Sequence, residues 1–343
     1  MIDWLFAGCV ASDHDQGPPQ VPSPPRSTPT TESTSPTTAG LLAFADGRLP
    51  RNVLTVSLDT TRRDRIGRYG GGDTTPFLDG LLAQAVVFDD HRSCSNWTGP
   101  SMYCATMGAL PQAHGVWPAS QSLVVDPVPE DIESLEQALF LAHVDVQYRA
   151  ELRGWDAVFA EMWAALDALG VLDDTLVVFY TDHGEQLLER GVLDHGFHLY
   201  AEESVAAAAL WARGLVAAVW SGPTSHEDIA VTLHQLYGMT PGHPRTGVAL
   251  GGAPADRVLR LMNYAALDAG VTLGVVRADL QLTYHWGGSY RTLHRNDSDP
   301  AQQVDVYDPT DPDVIALWDH LQPFVDEVGA SFTNLPPPVS PGP

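Results

Sequence analysis

Residues 173–185 read DDTLVVFYTDHGE and give the clearest strand signal in the chain. The unbroken apolar run from Leu176 to Tyr180 is typical of a strand that is buried on both faces of a parallel sheet. Polar residues follow at once, so we expect Asp182 and His183 to lie at the carboxyl end of this strand. In open sheets of parallel strands, functional residues gather at that end.

The same arrangement occurs around residue 59. The sequence NVLTVSL at 52–58 predicts a short buried strand, and Asp59 follows it directly. A further strand is predicted at 86–88, after a helix with Thr75 as N-cap and Pro76 as its first residue. Strands that alternate with helices predict an α/β fold with a mostly parallel sheet flanked by helices.

The segment CSNWTGPSMYCATMGALPQAHGV, residues 94–116, adds a third candidate position. Thr98 stands two residues before Pro100, and a helix is predicted from Ser101 to Met107. A threonine in such a segment is either an ordinary turn residue or a nucleophile at a junction between a strand and a helix. His114 is predicted to be structural.

The region between residues 130 and 170 predicts three elements. They are a helix at 130–139, a strand at 140–146 and a long amphipathic helix at 147–170. The strand would carry two weaker site candidates, His143 and Asp145.

Beyond residue 251 the pattern changes, and a small C-terminal α+β subdomain is predicted. Antiparallel strands with a Gly-Gly turn are expected within 274–295, and an amphipathic helix is expected to end near residue 328. The predicted domain limits are 1–9 for a lipoprotein signal remnant, 10–48 for a Pro/Ser/Thr-rich linker, 49–250 for the catalytic α/β domain, 251–330 for the C-terminal subdomain and 331–343 for a disordered tail.

The charge of the chain restricts its partners. Its 343 residues include 43 acidic and 18 basic side chains, all of the latter arginine, for a formal net charge of −25. Such a surface repels nucleic acid and anionic membranes. An anionic substrate must therefore be held by a metal ion, by arginines or by helix N-termini, because the chain has no lysine.

The cysteines and the N-terminus bear on location. Three cysteines without a CxxC motif argue against a disulfide framework or a Cys-rich zinc site. A single disulfide between Cys94 and Cys104 is compatible with the sequence in an oxidising compartment. The start MIDWLFAGCVASD resembles the end of a bacterial lipoprotein signal with Cys9 as the lipidated residue. The alternative is an untethered N-terminus. We expect a periplasmic or outer-membrane lipoprotein, or a secreted protein, and no transmembrane span is predicted.

The three polar segments together predict a metal-dependent nucleophilic site. Asp59, Asp182 and His183 are carboxylate and imidazole ligands at strand ends. The hydroxyl of Thr98 beside a metal ion could be made nucleophilic toward phosphorus or sulfur. Taken singly, each residue has a simpler explanation, such as a helix N-cap or a turn residue.

At these residues the chain resembles the sulfatase family of the alkaline phosphatase superfamily. The matching stretches, in family order, are NVLTVSLDTTRRDRIGRYGGGDTTPFLDG, WTGPSMYCATMGALPQAHGV, GVLDDTLVVFYTDHGEQL and DHGFHLYAEES. The resemblance implies that Asp59, Asp182 and His183 bind metal and that Thr98 occupies the nucleophile position. It also implies that His195 contacts substrate, protonates the leaving group or joins a second metal site, with His198 as a neighbour that could substitute.

The chain departs from that family where the chemistry is decided. Sulfatases convert a Cys or Ser to formylglycine, and here Thr98 replaces it while Met102 replaces a nearby arginine. Thr60 stands where many members have another metal-binding aspartate, and His183 where asparagine is usual. This set resembles phosphoryl-transfer members of the superfamily with a threonine nucleophile. It favours zinc or manganese, with calcium as the alternative.

Two functional hypotheses follow. The first is a hydrolase or transferase of small-molecule, glycan or lipid phosphate or sulfate esters, which acts through a covalent intermediate on Thr98. The second is a degenerate, non-catalytic surface protein on the same fold. Two features support it. The predicted helix at 130–139 and strand at 140–146 almost abut, where members of the resembled family usually carry a further strand and helix, and the chain has no lysine.

Overall fold

A computed structural model describes residues 42–115, 135–190, 193–196, 198–265, 270–286 and 290–331. Several predictions fall outside these residues: the signal remnant with Cys9, the linker up to residue 41, the Gly-Gly turn at 287–288 and the tail from residue 332. Among the described helices, none combines the length and the apolar character needed to cross a bilayer.

Strands and helices are interspersed along the described part of the chain. The strands are β1 (Asn52–Leu58), β2 (Val86–Arg92), β3 (Thr175–Thr181), β4 (Gln186–Leu187), β5 (Leu193–Asp194), β6 (Val205–Ala206), β7 (Ala208–Trp211), β8 (Ala218–Ser225), β9 (Leu259–Ala265), β10 (Gly270–Arg277), β11 (Leu280–His285) and β12 (Tyr290–Arg295). The helices are α1 (Pro76–Leu82), α2 (Thr98–Met107), α3 (Pro111–His114), α4 (Leu135–Ala168), α5 (Ala201–Ser204), α6 (Glu227–Leu236) and α7 (Pro312–Ser331).

The central sheet confirms the α/β prediction. Strand β1 runs parallel to β3, and β2 runs parallel to β8. Strands β6 and β7 pair with β2 in the antiparallel direction. Because β7 also pairs with β3, it joins the two parallel pairs into one mixed sheet. Because β1, β2, β3 and β8 all run in one direction, their carboxyl ends lie along the same edge of the sheet.

Helices cover both faces of this sheet, as the alternation of β3 illustrates. Leu176, Val178 and Tyr180 pack with α2 and α6 on one face. Phe179 points to the other face, where it packs with α1 and α4. Every residue of β3 is buried, which agrees with its continuous apolar sequence.

Strand β1 has the predicted limits but is less buried than expected. Within the described residues it pairs with β3 alone, and in the strand Leu58 is buried whereas Val53 is 41% exposed. The prediction of a fully buried strand was therefore wrong, because β1 lies at the edge of the sheet.

The predicted strand at 140–146 was also wrong. Helix α4 runs without a break from Leu135 to Ala168, and it places His143 and Asp145 on its surface rather than at the end of a strand. A short apolar run cannot be assigned to strand or helix by periodicity alone. No glycine or proline separates this run from the amphipathic segment that follows, so the helix extends back through it.

An aspartate on α4 caps the first helix of the fold. The carboxylate of Asp156 is buried and accepts hydrogen bonds from the backbone N–H groups of Phe77 and Leu78, each at 2.8 Å. Thr75 takes the predicted position before Pro76, but its hydroxyl accepts a bond from Gly67 N–H instead. Sequence reasoning missed Asp156, because its partners lie almost eighty residues away.

The C-terminal region forms the predicted antiparallel sheet and helix. Strands β9 to β12 make a meander in the order β12-β11-β10-β9, and α7 packs on one of its faces through Leu317, Leu321 and Phe324. At the other end of the chain, Leu42 and Phe44 pack beside Leu215. The linker boundary predicted at residue 48 therefore lies inside a segment that contacts the sheet.

Candidate active site

Three predicted metal ligands and the predicted nucleophile lie together at the carboxyl edge of the sheet. Asp59, Asp182 and His183 present ligand atoms that all lie within 4.8 Å of one another. The Thr98 hydroxyl donates to Asp59 Oδ1 at 3.0 Å and lies 3.2 Å from His183 Nε2. Four residues from three separate segments thus meet at one point.

The pairing of two parallel strands explains why the aspartates meet. Leu58 of β1 is opposite Thr181 of β3, so Asp59 and Asp182 leave the sheet side by side. The N–H of Asp182 continues the ladder by donating to Leu58 O at 3.0 Å. The sequence order strand–Asp in both segments therefore determines this part of the site.

Residue 60 turns the chain sharply after Asp59. Thr60 has a φ of 50°, in the left-handed region that non-glycine residues rarely adopt. Its N–H donates to Asp182 Oδ1 at 3.0 Å, and its carbonyl accepts a bond of 2.6 Å from Tyr148 on α4. These two contacts hold the turn, so α4 supports the site, and none of its described side chains belongs to the ligand cluster.

Thr98 is the first residue of α2, three residues earlier than the sequence predicted the helix to begin. The positive end of the helix dipole therefore lies at the nucleophile position, where it favours an anion. The helix is attached to the residue that follows β3 by Ser101, whose hydroxyl donates to Asp182 O at 2.6 Å.

Cys94 and Cys104 form the disulfide that the sequence allowed, and it closes a loop around Thr98.

The chemistry of the donor set fits a divalent cation. Asp182 is fully buried, and its Oδ2 atom has no hydrogen-bond partner. Burial, and then the charge of Asp59, raise the pKa of Asp182 well above its ordinary value. A buried carboxylate oxygen without a partner, beside a second carboxylate, is stabilised when a cation binds both.

The imidazole of His183 is held as a ligand would be. Its Nδ1 lies 2.9 Å from Gly184 O, so this nitrogen carries the proton and Nε2 keeps its lone pair toward Thr98 and Asp59. Burial, followed by the nearby charge of His195, lowers the pKa of His183 well below its usual value. A neutral histidine with its second nitrogen bonded to a carbonyl is the usual metal-ligating form.

His195 lies beside this cluster on a separate loop. The antiparallel pair β4–β5 brings the loop back, and the His195 ring centre lies 4.4 Å from that of His183. Its Nδ1 is 3.3 Å from Glu185 Oε1 and 3.1 Å from Asp194 Oδ1. Burial would lower the pKa of His195, but the hydrogen bond and charge of Glu185, with Asp194 beside it, outweigh burial and raise it.

Glu185 and Asp194 were missed by sequence reasoning. With His195 they form a second group whose ligand atoms lie within 4.8 Å of one another. Both residues adjoin recognised motifs, since Glu185 ends DHGE and Asp194 precedes His195 in the chain. That adjacency is the signal that could have found them.

The other candidates lie away from the cluster. The ring of His198 faces Tyr200 and His285, with centroid distances of 5.3 and 6.4 Å. Asp145 is paired with Arg65 at 2.8 Å and Arg149 at 2.7 Å, as in an ordinary ion-pair network. These ion pairs give Asp145 a structural role on α4.

Two more residues complete the account of the predicted positions. His143 is exposed on the surface of α4. His114 lies next to the disulfide, with Nε2 3.8 Å from Cys104 Sγ.

A family model described as Sulfatase matches the chain over two overlapping stretches, residues 51–150 and 143–239. Together these stretches span more than half of the chain and contain every residue of the cluster around Thr98. A search of curated proteins by sequence found no match.

Solved structures share this fold at low sequence identity. A 2-O GAG sulfatase matches with a TM-score of 0.62 and 13% identity, over 82% of this chain and 92% of its own. A phosphonate monoester hydrolase of Agrobacterium radiobacter matches with a TM-score of 0.61 and 13% identity, over 82% and 96%. A sulfatase from Pseudoalteromonas sp. matches with a TM-score of 0.58 and 14% identity, over 84% and 92%. These similarities establish a common architecture.

Proposed function

The chain belongs to the sulfatase family, and from that premise we propose that it is a metal-dependent hydrolase or transferase of phosphate, phosphonate or sulfate esters with Thr98 as its nucleophile. One observation carries the proposal. The Thr98 hydroxyl lies within 3.2 Å of both Asp59 Oδ1 and His183 Nε2, at the N-terminus of α2. A turn residue would not need two buried or charged partners from distant segments.

The metal in this proposal would be held by Asp59, Asp182 and His183. The unpartnered Oδ2 of Asp182 and the lone pair of His183 Nε2 support this assignment. When bound, a divalent cation supplies positive charge that lowers the pKa of a neighbouring hydroxyl and polarises an ester oxygen. The imidazole ligand favours zinc or manganese, with calcium as the alternative.

The protein groups supply orientation for the attack. The Thr98 hydroxyl donates its proton to Asp59 Oδ1, so a lone pair of Oγ1 is free to face the ester. As the bond from Oγ1 to phosphorus or sulfur forms, the hydroxyl proton passes to Asp59 Oδ1 and the bond to the leaving oxygen breaks. In the second step water or an acceptor hydroxyl gives its proton to His195 and attacks the phosphorus or sulfur. The bond to Oγ1 then breaks, and Oγ1 takes its proton back from Asp59.

His195 is proposed as the proton donor to the leaving oxygen. Burial lowers the pKa of His195, but Glu185 and Asp194 outweigh burial and raise it above the ordinary histidine value, which favours the protonated ring. Its side chain is 15% exposed, which leaves it accessible to a ligand. Positioned proton transfer of this kind contributes about 10² to 10⁴ in rate.

The charge around Thr98 favours monoanionic esters. Asp59, Asp182, Glu185 and Asp194 supply four carboxylates, and among the described residues no arginine pairs with any of their side chains. Arg62, the basic residue next to the turn, is committed to Asp64 and Glu189. We therefore propose phosphodiesters, phosphonate monoesters or sulfate esters, each with one negative charge, over dianionic phosphate monoesters.

The non-catalytic alternative receives less support. A degenerate site would be expected to lose at least one ligand or its nucleophile, whereas Thr98 and its three neighbours are present and in contact. The predicted strand at 140–146, next to the shortened junction, forms part of the continuous helix α4.

We also propose an oxidising compartment, either the bacterial envelope or the exterior. The buried disulfide between Cys94 and Cys104 supports this, because cytosolic thiols are kept reduced.

The test is a panel of four chromogenic esters, offered to the full chain after reloading with zinc, manganese or calcium. The panel contains a phosphodiester, a phosphonate monoester, a sulfate ester and a phosphate monoester with the same leaving group. Turnover of the first three above the fourth, with a phosphoryl, phosphonyl or sulfuryl adduct on the peptide that contains Thr98, is the expected result. A folded, metal-loaded protein without turnover or adduct would contradict the proposal.

A further inference from the structure

One buried carboxylate connects the segments that carry Thr98, His183 and His195. The side chain of Glu203, in α5, is completely buried. It accepts hydrogen bonds from three N–H donors, each close in sequence to one residue of the site. These donors are Asn96 Nδ2, two residues before Thr98, Gln186 Nε2, three residues after His183, and Gly196 N, one residue after His195.

The contacts on one oxygen join the nucleophile segment to the histidine loop. Glu203 Oε2 accepts from Asn96 Nδ2 at 2.5 Å and from Gly196 N at 2.9 Å. Asn96 Nδ2 also donates to the carbonyl of His198, so the same amide contacts the histidine loop at a second point. Glu203 Oε1 accepts from Gln186, which begins β4.

The backbone of Glu203 adds a further attachment. Its carbonyl accepts a hydrogen bond from Gly184 N at 2.9 Å, directly after His183. A side chain at residue 184 would lie 1.9 Å from Glu202 O, so only glycine permits this close approach.

The turn at Gly196 is held against the residue before Thr98. Gly196 has a φ of 89°, and a Cβ there would lie 2.3 Å from the Trp97 ring. Trp97 in turn packs edge-on against His195, with ring centres 5.2 Å apart. Movement of this turn would therefore displace both the nucleophile segment and His195.

We propose that Glu203 is a positioning residue that sets Thr98 and His195 relative to His183, an inference that rests on the proposed function. A carboxylate suits this task because it accepts at both oxygens and brings no donor of its own. An amide in its place would set an NH₂ group against one of the three donors. A buried donor left without an acceptor is strongly destabilising, so the segments would move apart.

The three N–H donors favour the ionised form of Glu203, in which its hydrogen bonds are stronger. Burial raises the pKa of Glu203 to about 7, against the opposing effect of Gln186, Asn96 and Gly196. Bonds to an ionised carboxylate are about twice as strong as neutral ones.

The experiment compares Glu203→Gln with Glu227→Gln in the full chain. Glu227 is a matched control because it is also buried, and burial also raises its pKa to about 7. Its partners are Thr246 and Arg257, which lie outside the three site segments. Both variants should lose similar stability, so they separate positioning from general destabilisation.

The first readout is amide hydrogen exchange, which requires no substrate. In Glu203→Gln we expect exchange at residues 94–98 and 193–196 to accelerate by about tenfold or more. In Glu227→Gln these residues should exchange as in the wild type. Equal exchange at these residues in the two variants would overturn the proposal.

The second readout is kinetic and applies once the wild type shows turnover. Glu203→Gln should lower kcat by about 10² while KM changes by less than about threefold, since misplaced groups affect the reacting geometry more than binding. A wild type without turnover would contradict the proposed function and leave the exchange result intact. If Glu203→Gln does not fold, Gln186→Met removes one donor at similar volume. Unaltered exchange in that variant would equally overturn the proposal.

Discussion

Thr98 Oγ1 lies 3.2 Å from His183 Nε2, although 85 residues separate the two in sequence. The contact depends on two independent features of the fold. Strand β3 delivers His183 to the edge of the sheet, and Ser101 fixes the start of α2 to the carbonyl of Asp182. Thr98 and His183 are therefore brought together by separate elements of the fold.

The Thr98 hydroxyl is predicted to act in the chemical step and to contribute little to stability. Thr98→Ala should lower kcat/KM by at least about 10³, because the attacking atom is lost. Thr98→Ser keeps the hydroxyl and should remain within about tenfold of the wild type. Steady-state kinetics on the best ester of the panel measure both effects.

Thr106→Val provides the control for these variants. Thr106 lies on the same helix and its hydroxyl bonds to Met102 O, away from the cluster. Its kinetics should match the wild type. Full activity in Thr98→Ala would show that the hydroxyl is not the nucleophile.

Asp182 is predicted to link metal binding to stability. In the metal-free protein Asp182→Asn should raise the melting temperature, because it removes a buried charge beside Asp59. In the wild type, metal at about 100 times its Kd should add about 2.7 kcal/mol to the free energy of unfolding. The variant should show no such increase. Differential scanning calorimetry with and without metal gives both values, and an equal increase in the variant would exclude Asp182 as a ligand.

Asp156 is predicted to stabilise the fold independently of metal. Asp156→Asn should lower the free energy of unfolding by about 1–2 kcal/mol, because an amide offers one acceptor oxygen to the two N–H groups of Phe77 and Leu78. Its increase in stability on metal binding should equal that of the wild type. Urea unfolding measures the loss, and a metal-dependent effect at Asp156 would contradict the assignment.

Local patterns predicted the centre of the sheet and the candidate ligands that follow its strands. The run from Leu176 to Tyr180 has one interpretation, and Asp182 and His183 come directly after it. Residues whose role depends on distant partners were not predictable in this way. Glu203 lies within the family-like stretch DHGFHLYAEES, but sequence reasoning gave it no role, because that role depends on three donors that converge on it in the fold.

The error at residues 140–146 has a related origin. An apolar run of seven residues fits both the helix and the strand patterns, so periodicity alone does not distinguish them. The outcome depends on whether the helix of the following segment extends back through the run. In this protein α4 continues through it, and the same helix carries Asp156 and Tyr148 to the first helix and to Thr60. Nothing in the local sequence indicates those two long-range contacts.

The disulfide is predicted to stabilise the segment around Thr98. Replacing both Cys94 and Cys104 by alanine should lower the free energy of unfolding by about 3 kcal/mol, the value expected for a closed loop of about ten residues. Urea unfolding with and without reductant distinguishes the bond from side-chain packing. If the bond matters, the reductant destabilises the wild type and leaves the double variant unchanged. Identical curves for the wild type in both conditions would show that this bond does not form or is not reduced in the native state.

A buried histidine pair is predicted to make the fold sensitive to acid. His91 and His226 stack with ring centres 4.9 Å apart, and both are completely buried. Burial lowers the pKa of His226 to about 4, and burial together with the charge of His226 lowers that of His91 well below its ordinary value. Both rings are therefore neutral in the folded protein, whereas in the unfolded chain they titrate near the ordinary pKa of about 6.5.

The sign of the effect follows from proton binding. Below about pH 6.5 the two histidines bind protons in the unfolded chain but not in the folded protein. The free energy of unfolding is therefore highest above that pH and decreases as the pH falls toward 4. Each such histidine should contribute about 1.4 kcal/mol per pH unit within this window. His226→Gln should be less stable than the wild type at about pH 8, because the ring's contacts with Arg92 O and Thr181 O are altered, but it should lose less stability on acidification. Urea unfolding of the metal-free proteins across the window checks this, and parallel stability curves for the two proteins would refute it.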